Sequence, residues 1–300
     1  MSMANIFKGL FIAGNWHVAY RRLPEGSILS DKETPFIVIK NAHRFHAMDP
    51  FVFEHGGETY LFAETYDRLR SRGTIGYAKW NGYGFTKWRQ VIIEPYHLSY
   101  PFIFEENGEV FIIPESFLNK DVHVYRAIEF PDKWENIGAI AENVKYVDST
   151  IWDCKGKRYL FTYDICGGEK KLLLFGMSGH EIDLQSCKVI SSADDVARPA
   201  GRVITVNGRY IRVSQDCDGD YGTAVVFSRI SGEGIDDYSE ERIERVAPDD
   251  ITLDKPISFT GIHTYNATVS FEVIDLKGSG FNILDMIGRL WARILRLGKR

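Results

Sequence analysis

An all-β ring, a five-bladed β-propeller, is the fold class the sequence predicts. The first observation is a fourfold repeat: DPFVFEHGGETYLFAE from Asp49, YPFIFEENGEVFIIPE from Tyr100, DSTIWDCKGKRYLFTY from Asp148 and AGRVITVNGRYIRVSQ from Ala200 superimpose on Gly57, Gly108, Gly156 and Gly208. Each is two apolar or aromatic runs joined by a tight turn, the pattern of a β-hairpin. The second is the period: these glycines lie 51, 48 and 52 residues apart, one propeller blade per unit. The third is a partial fifth unit, Gly261–Asn266 followed by Val269–Ile274. Its unfilled edge must be covered, because an open strand edge recruits other chains. The N-terminal run Trp16–Tyr20 is the segment that can zip the ring shut.

The blades fill in order. Blade one takes its inner hairpin from 49–64 and outer strands from Gly73–Trp80 and Phe85–Ile93. Blade two adds Val122–Ala127 and a Phe130-Pro131-Asp132 turn; blade three adds Lys171–Met177 and Cys187–Ile190. Blade four adds Thr223–Ile230, then a polar, acidic stretch from Gly232 to Glu244. Residues 1–280 thus form the propeller. In residues 281–300 the period changes from two to 3.6, which predicts an amphipathic helix. Its stripe of Arg289, Arg293, Arg296 and Arg300 lies opposite Ile283, Ile287, Leu290, Trp291, Ile294 and Leu295. Such a helix docks on the propeller, pairs with a helix of a partner or second copy, or lies in a membrane surface, with Arg289, Arg293 and Arg296 among anionic headgroups and Trp291 on the apolar side.

Of 300 residues, 44% are apolar and 13% aromatic, ample for a buried core. The formal charge is −5, yet residues 289–300 carry five cations and no acid, leaving −10 on the rest. An acidic body argues against nucleic acid as a partner. Cys154, Cys166, Cys187 and Cys217 lack metal-ligand spacing and read as free thiols of a reducing compartment. No stretch has the length of a signal core or a membrane span, so the expectation is a cytoplasmic protein, peripheral on the inner face of the membrane if the helix binds lipid.

Repeat geometry selects the site. Both ends of each inner hairpin return to the rim opposite its turn, which brings together Asp49 and Glu64, Tyr100 and Glu115, Asp148 and Tyr163, Ala200 and Gln215, with His263 from blade five. Carboxylates accept sugar hydroxyls and aromatic faces stack on sugar C–H faces. The partner expected there is a carbohydrate or sugar phosphate. Each residue also has a plainer reading: Asp49 and Glu64 as turn or backbone caps, Tyr100 and Tyr163 as core edge, His263 as a satisfied rim histidine, Arg198 as a partner of Asp194 or Asp195. Asp216, Asp218 and Asp220 alternate as in a calcium loop but lack its terminal Glu, and read as an acidic turn. No metal and no cofactor is expected.

Met48-Asp49-Pro50-Phe51-Val52 and Val147-Asp148-Ser149-Thr150-Ile151 resemble the five-bladed propeller glycosidases of the arabinanase, xylosidase, invertase and levansucrase superfamily. The resemblance implies Asp49 as base or nucleophile and Asp148 as the acid that orients it. A closer resemblance, carried by His97–Phe102, Pro114-Glu115-Ser116, Asp148-Ser149-Thr150, Arg198–Gly201 and His263–Asn266, is to the propeller domain at the N-terminus of plant glucosamine inositolphosphorylceramide transferases. It implies glycolipid or surface-glycan assembly. Where the hydrolases carry their acid in blade four, this chain has Arg198-Pro199-Ala200-Gly201-Arg202, without a carboxylate. Alkyl glycoside hydrolysis needs an acid for the leaving oxygen, whereas a phosphate leaving group is received by Arg198 and Arg202. The expected function is therefore glycosyl transfer from a phosphate-type donor, with a lipid-linked acceptor if the helix binds a membrane. Asp49 is then the base or nucleophile, Asp148 its orienting partner, and Glu115 the acid/base or a hydroxyl holder; Glu64, Tyr100, Tyr163, Gln215 and His263 bind substrate. The alternatives are a furanosidase-like hydrolase and a non-catalytic glycan-binding module.

Overall fold

The computed structural model describes residues 13–280, 283–288 and 290. Five four-stranded antiparallel sheets form the blades. Blade one is β3 (Phe45–His55), β4 (Glu58–Asp67), β5 (Arg72–Lys79) and β6 (Arg89–Ile92); blade two is β7 (Ser99–Glu106), β8 (Glu109–Glu115), β9 (Asp121–Glu129) and β10 (Lys133–Glu142). Blade three is β11 (Tyr146–Cys154), β12 (Lys157–Asp164), β13 (Lys171–Ser178) and β14 (Glu181–Ser191); blade four is β15 (Ile204–Val206), β16 (Arg209–Asp216), β17 (Ala224–Ser231) and β18 (Ser239–Val246). Strand β18 begins inside the stretch that the sequence marked only as polar and acidic and runs two residues past its end. Its outer-edge position leaves most of its side chains in solvent, so no apolar alternation betrays it.

Blade five closes the ring. Its order is β19 (Tyr265–Ala267), β20 (Phe271–Gly280), β1 (Ala13–Arg22) and β2 (Ile37–Val38), so chain end and chain start share one sheet. The β1–β20 ladder runs ten residue pairs, Ala13↔Gly280 to Arg22↔Phe271. Trp16–Tyr20 therefore fills the predicted place, and β2 adds a fourth strand that the sequence did not reveal. A buried ion pair crosses the seam: Arg21 on β1 faces Glu272 on β20, with side chains 8% and 0% exposed.

The repeat glycines do what the pattern required. Gly57, Gly108, Gly156 and Gly208 have φ of 77°, 79°, 76° and 74°, each after a residue also at positive φ (Gly56, Asn107, Lys155, Asn207). Two successive left-handed residues match the twist of a two-residue hairpin. Gly201 answers to a different constraint, the packing of blade four on blade five. At its φ of +150° an added Cβ would sit 1.9 Å from the Tyr265 carbonyl oxygen. Gly201→Ala is expected to destabilise by about 2–4 kcal/mol, combining left-handed strain with overpacking, a shift that chemical denaturation would read directly.

The core runs around the ring between neighbouring blades. Phe51 meets Tyr100 and Phe102 edge-on at centroid distances of 4.9 and 5.8 Å, and Trp152 stands edge-on to Tyr210 and Tyr238 at 5.8 and 5.9 Å. Each such buried side chain contributes about 1.5–3 kcal/mol. Residues 283–288 are helical. This turn docks on blade one, where Asp285 is buried against the Arg68 guanidinium and Gly288 approaches the Arg68 backbone. Ile283 and Leu290 are exposed. Arg289, Trp291, Arg293 and Arg296, the residues expected to meet a membrane, lie outside the described residues. No helix among the described residues is long and apolar enough to cross a membrane. The four cysteines are free.

Candidate functional site

Three blades break their ladders at the same repeat position. Register shifts fall between Met48 and Phe51, Ser99 and Phe102, and Val147 and Thr150. The residues after each break, Asp49, Tyr100 and Asp148, have φ of 51°, 43° and 53°. A left-handed non-glycine residue is strained by about 1–3 kcal/mol and persists only where its surroundings fix it. Bulges of this kind re-aim side chains. Here they project one polar side chain per blade toward the axis.

The amides freed by the bulges are caught by neighbouring carboxylates. Asp49 N–H donates to Asp275 Oδ2 at 2.9 Å, and Tyr100 N–H donates to Asp49 Oδ2 at 3.2 Å. The Tyr100 hydroxyl then meets Thr150 Oγ1 at 2.8 Å. Blades five, one, two and three are thus stitched in sequence around the axis. Blade four joins through Arg198, whose Nε donates to Asp148 Oδ2 at 2.5 Å while Nη2 stands 3.7 Å from Glu115 Oε2. Gln215 Nε2 adds a bond to Asp148 Oδ2 at 3.3 Å.

Asp49 is the best-tuned group. Oδ1 accepts the Thr264 hydroxyl at 2.9 Å and lies 3.3 Å from His263 Nε2, whose Nδ1 lies 2.7 Å from Asp275 Oδ2. Burial raises the Asp49 carboxyl to about 6, with the His263 charge opposing and Asp275 and Asp148 reinforcing. Burial works against the His263 imidazolium, but Asp275 and Asp49 outweigh it and raise this group. Asp49, His263 and Asp275 are also the one set among the described residues able to hold a metal ion, with ligand atoms within 4.8 Å of one another.

Glu115 and Glu64 are driven further toward the neutral acid. Burial raises Glu115 well above the usual range, Asp148 adds to this, and Arg198 opposes it. Burial and the surrounding carboxylates raise Glu64 likewise, with no cation among the leading causes. Its neighbour His97 accepts Gly73 N–H at Nδ1, 2.9 Å, and turns Nε2 toward Glu64 Oε1 at 3.6 Å. Burial and Arg72 lower His97 to about 4, so it stays neutral. A Cβ on Gly73 would lie 2.3 Å from Glu64 Oε1, so only glycine leaves room for this carboxyl. The folded protein therefore holds the Glu64 proton more tightly than the unfolded chain does. The resulting stabilisation is complete below the unfolded pKa and is lost as pH rises toward the folded value. Melting temperatures from pH 5 to 9 are expected to fall less steeply for Glu64→Gln than for the parent.

The mouth is narrower than an open funnel. Side chains of Asp49, Asp148, Glu115 and Glu64 are 8%, 3%, 5% and 3% exposed. Tyr221 roofs the cluster, its ring 5.1 Å from the Arg198 guanidinium carbon and 5.1 Å from His263. Trp16 stacks on His263 at 4.0 Å.

Tyr163 and Gln215 are buried at the same rim, as the repeat placed them. Arg198 pairs with Asp148 and not with Asp194 or Asp195; Asp195 meets Arg242 instead. Arg202 corrects the expectation that it joins Arg198 on a phosphate. Its Nη2 donates to the Ile103 carbonyl at 3.0 Å and its guanidinium lies over Phe102 at 5.3 Å, toward the hairpin turns. The acidic turn is dispersed among basic partners, Asp216 with Arg245 and Asp220 with Lys277. Asp275 and Tyr221 escaped the sequence, and Thr264, Trp16 and His97 stood there as parts of motifs or strands without a place in the site. Asp275 left one usable signal, an acid in the otherwise apolar Val273-Ile274-Asp275-Leu276 run.

With this geometry in hand, comparison with known proteins is decisive about kinship. Residues 38–252 match the family model described as glucosamine inositolphosphorylceramide transferase 1, N-terminal. The chain belongs to this family. A relative of that name from Arabidopsis thaliana is 33% identical over 206 residues, 65% of this chain and 27% of its own. One from Oryza sativa subsp. indica is 31% identical over 203 residues, 64% of this chain and again 27% of its own. The chain thus spans about a quarter of the length of the plant relatives it matches. Among solved structures, the catalytic domain of the Coprinopsis cinerea GH62 alpha-L-arabinofuranosidase superimposes with a TM-score of 0.58 at 11% identity, over 90% of this chain and 99% of that one. An alpha-L-arabinofuranosidase from Lactobacillus brevis gives 0.55 at 14% identity, over 76% and 81%. At these identities the likeness is one of fold.

Proposed function

We propose that this family member transfers a glycosyl group from a phosphate-activated donor in glycolipid or surface-glycan assembly. One observation carries the reading: Asp49, a buried carboxyl raised to about 6, converges with Asp148 and Glu115 on a single mouth that also holds Arg198. A general base works best with a pKa near the working pH. Asp49 accepts the proton of the acceptor hydroxyl as its oxygen bonds to the anomeric carbon. The bond to the donor phosphate breaks, and its electron pair leaves with the phosphate, which Arg198 receives after swinging from Asp148. Asp148 orients Arg198, and the neutral carboxyls of Glu115 and Glu64 donate hydrogen bonds to sugar hydroxyls. Blade four's lack of a carboxylate at the Arg198–Arg202 stretch disfavours hydrolysis.

Incubation with nucleotide sugars and a membrane extract should consume donor and release nucleotide. A second reading, a glycan-binding module, is favoured by the closed acid cluster, in which Arg198 already occupies Asp148 and the carboxyl side chains are 8%, 3%, 5% and 3% exposed. Saccharide binding without donor consumption, unchanged in Asp49→Asn, would select it. We further propose that residues 281–300 hold the protein at an anionic membrane surface beside a lipid-linked acceptor. Their deletion should release it from phosphatidylserine-containing liposomes, and unchanged co-sedimentation would refute this.

A further inference from the structure

The ring axis has a second end. At the hairpin-turn side, Phe102, Phe104, Trp152, Tyr210 and Arg202 line a cavity of about 220 Å³, and Arg202 also borders a neighbouring cavity of about 410 Å³. Arg21, Arg68, Arg198 and Arg212 each face a carboxylate. Arg202 has no such partner among the described residues, and its one side-chain hydrogen bond goes to the Ile103 carbonyl. Its guanidinium is held in place by the Phe102 and Phe51 rings, at 5.3 and 6.0 Å. The acids nearest these cavities do not neutralise it. Asp153 is engaged by Arg158 at 2.8 Å, and Glu25 is exposed at the outer wall. Trp152, which also lines the smaller cavity, has a buried indole N–H without an acceptor among the described residues.

We infer that the turn-side end of the axis binds a small oxyanion, a phosphate ester or a carboxylate carried on a ring, with Arg202 as its anchor. A planar guanidinium fixed on aromatic faces presents a ready fork to two anion oxygens. The aromatic walls of Phe102, Phe104 and Tyr210 provide faces for the ring that carries the anion. Burial lowers Arg202 to about 10, opposed only by Tyr100 among the leading causes, which agrees with a cation lacking its counter-ion. This site is separate from the acid cluster and does not depend on the chemistry proposed there.

Titration calorimetry with inorganic phosphate, glucuronate and uncharged glucose tests it. At least one of the two anions should bind saturably, and glucose should not. Phosphate binding marks a phosphate ester as the ligand, and glucuronate binding a sugar carboxylate. Arg202→Gln should weaken the binding at least tenfold, while Arg229→Gln, which changes a surface pair with Glu241, should alter it less than twofold. A readout on the unmodified protein guards against misfolding of the variant: phenylglyoxal modification of Arg202, followed by peptide mass mapping, should slow at least fivefold with the bound anion. No saturable binding of either anion, binding weakened as much by Arg229→Gln as by Arg202→Gln, or an Arg202 labelling rate indifferent to both would overturn the site.

Discussion

A chain lacking residues 1–22 is expected not to fold, because it loses β1 from blade five and leaves β20 with an unpaired edge of ten residues. Circular dichroism should show loss of the cooperative transition, with aggregation during expression. The same seam can be probed by one substitution. Glu272 accepts Arg21 at Nε, the Leu29 amide at 2.7 Å and the Tyr265 hydroxyl at 2.7 Å, with its own side chain fully buried. Glu272→Ala leaves a buried guanidinium and two further donors without their acceptor. Breaking such a pair from one side destabilises by about 3–5 kcal/mol. At about 2–4 °C per kcal/mol for large domains, melting should fall by roughly 10 °C. A fall under two degrees would show that the seam is held by its strand ladder alone.

Asp49→Asn is expected to lower donor consumption by about 10²–10⁴-fold, the usual contribution of a general base. Asparagine keeps an oxygen for the Tyr100 amide or the Thr264 hydroxyl, so near-UV circular dichroism and saccharide binding should survive. With the carboxyl at about 6, only its ionised form can take a proton. The parent rate should drop about tenfold per pH unit below about 6 and flatten above it. Because the Asp49 carboxylate and the His263 imidazole face each other at 3.3 Å, that limb belongs to the pair rather than to one residue. A pH limb that persists unchanged in Asp49→Asn would place the base elsewhere.

The repeat made much of this legible. Four glycines at a period near 50 specified the hairpins and the rim positions of Asp49, Tyr100, Asp148, Glu64, Glu115, Tyr163 and Gln215, and the partial fifth unit at Gly261–Ile274 completed the blade count. It worked because a turn with two left-handed residues leaves a local mark that no distant contact needs to explain. Strand β18 and the short β2 left no such mark. Their side chains face solvent or pair over two residues only, so apolar periodicity is absent.

Within the site, the chain order of residues alone determined which positions reach the axis, since equivalent places in equivalent blades must return to the same rim. Tertiary structure alone decided how those side chains are charged and whom they meet. Asp275 reaches Asp49 from 226 residues away, and Arg198 reaches Asp148 across 50. Arg198 and Arg202, four positions apart, end on Asp148 and on the Ile103 carbonyl. The physical reason is that side-chain direction at a bulge, and the desolvation that raises a carboxyl, arise from blades packing together and have no period in the sequence.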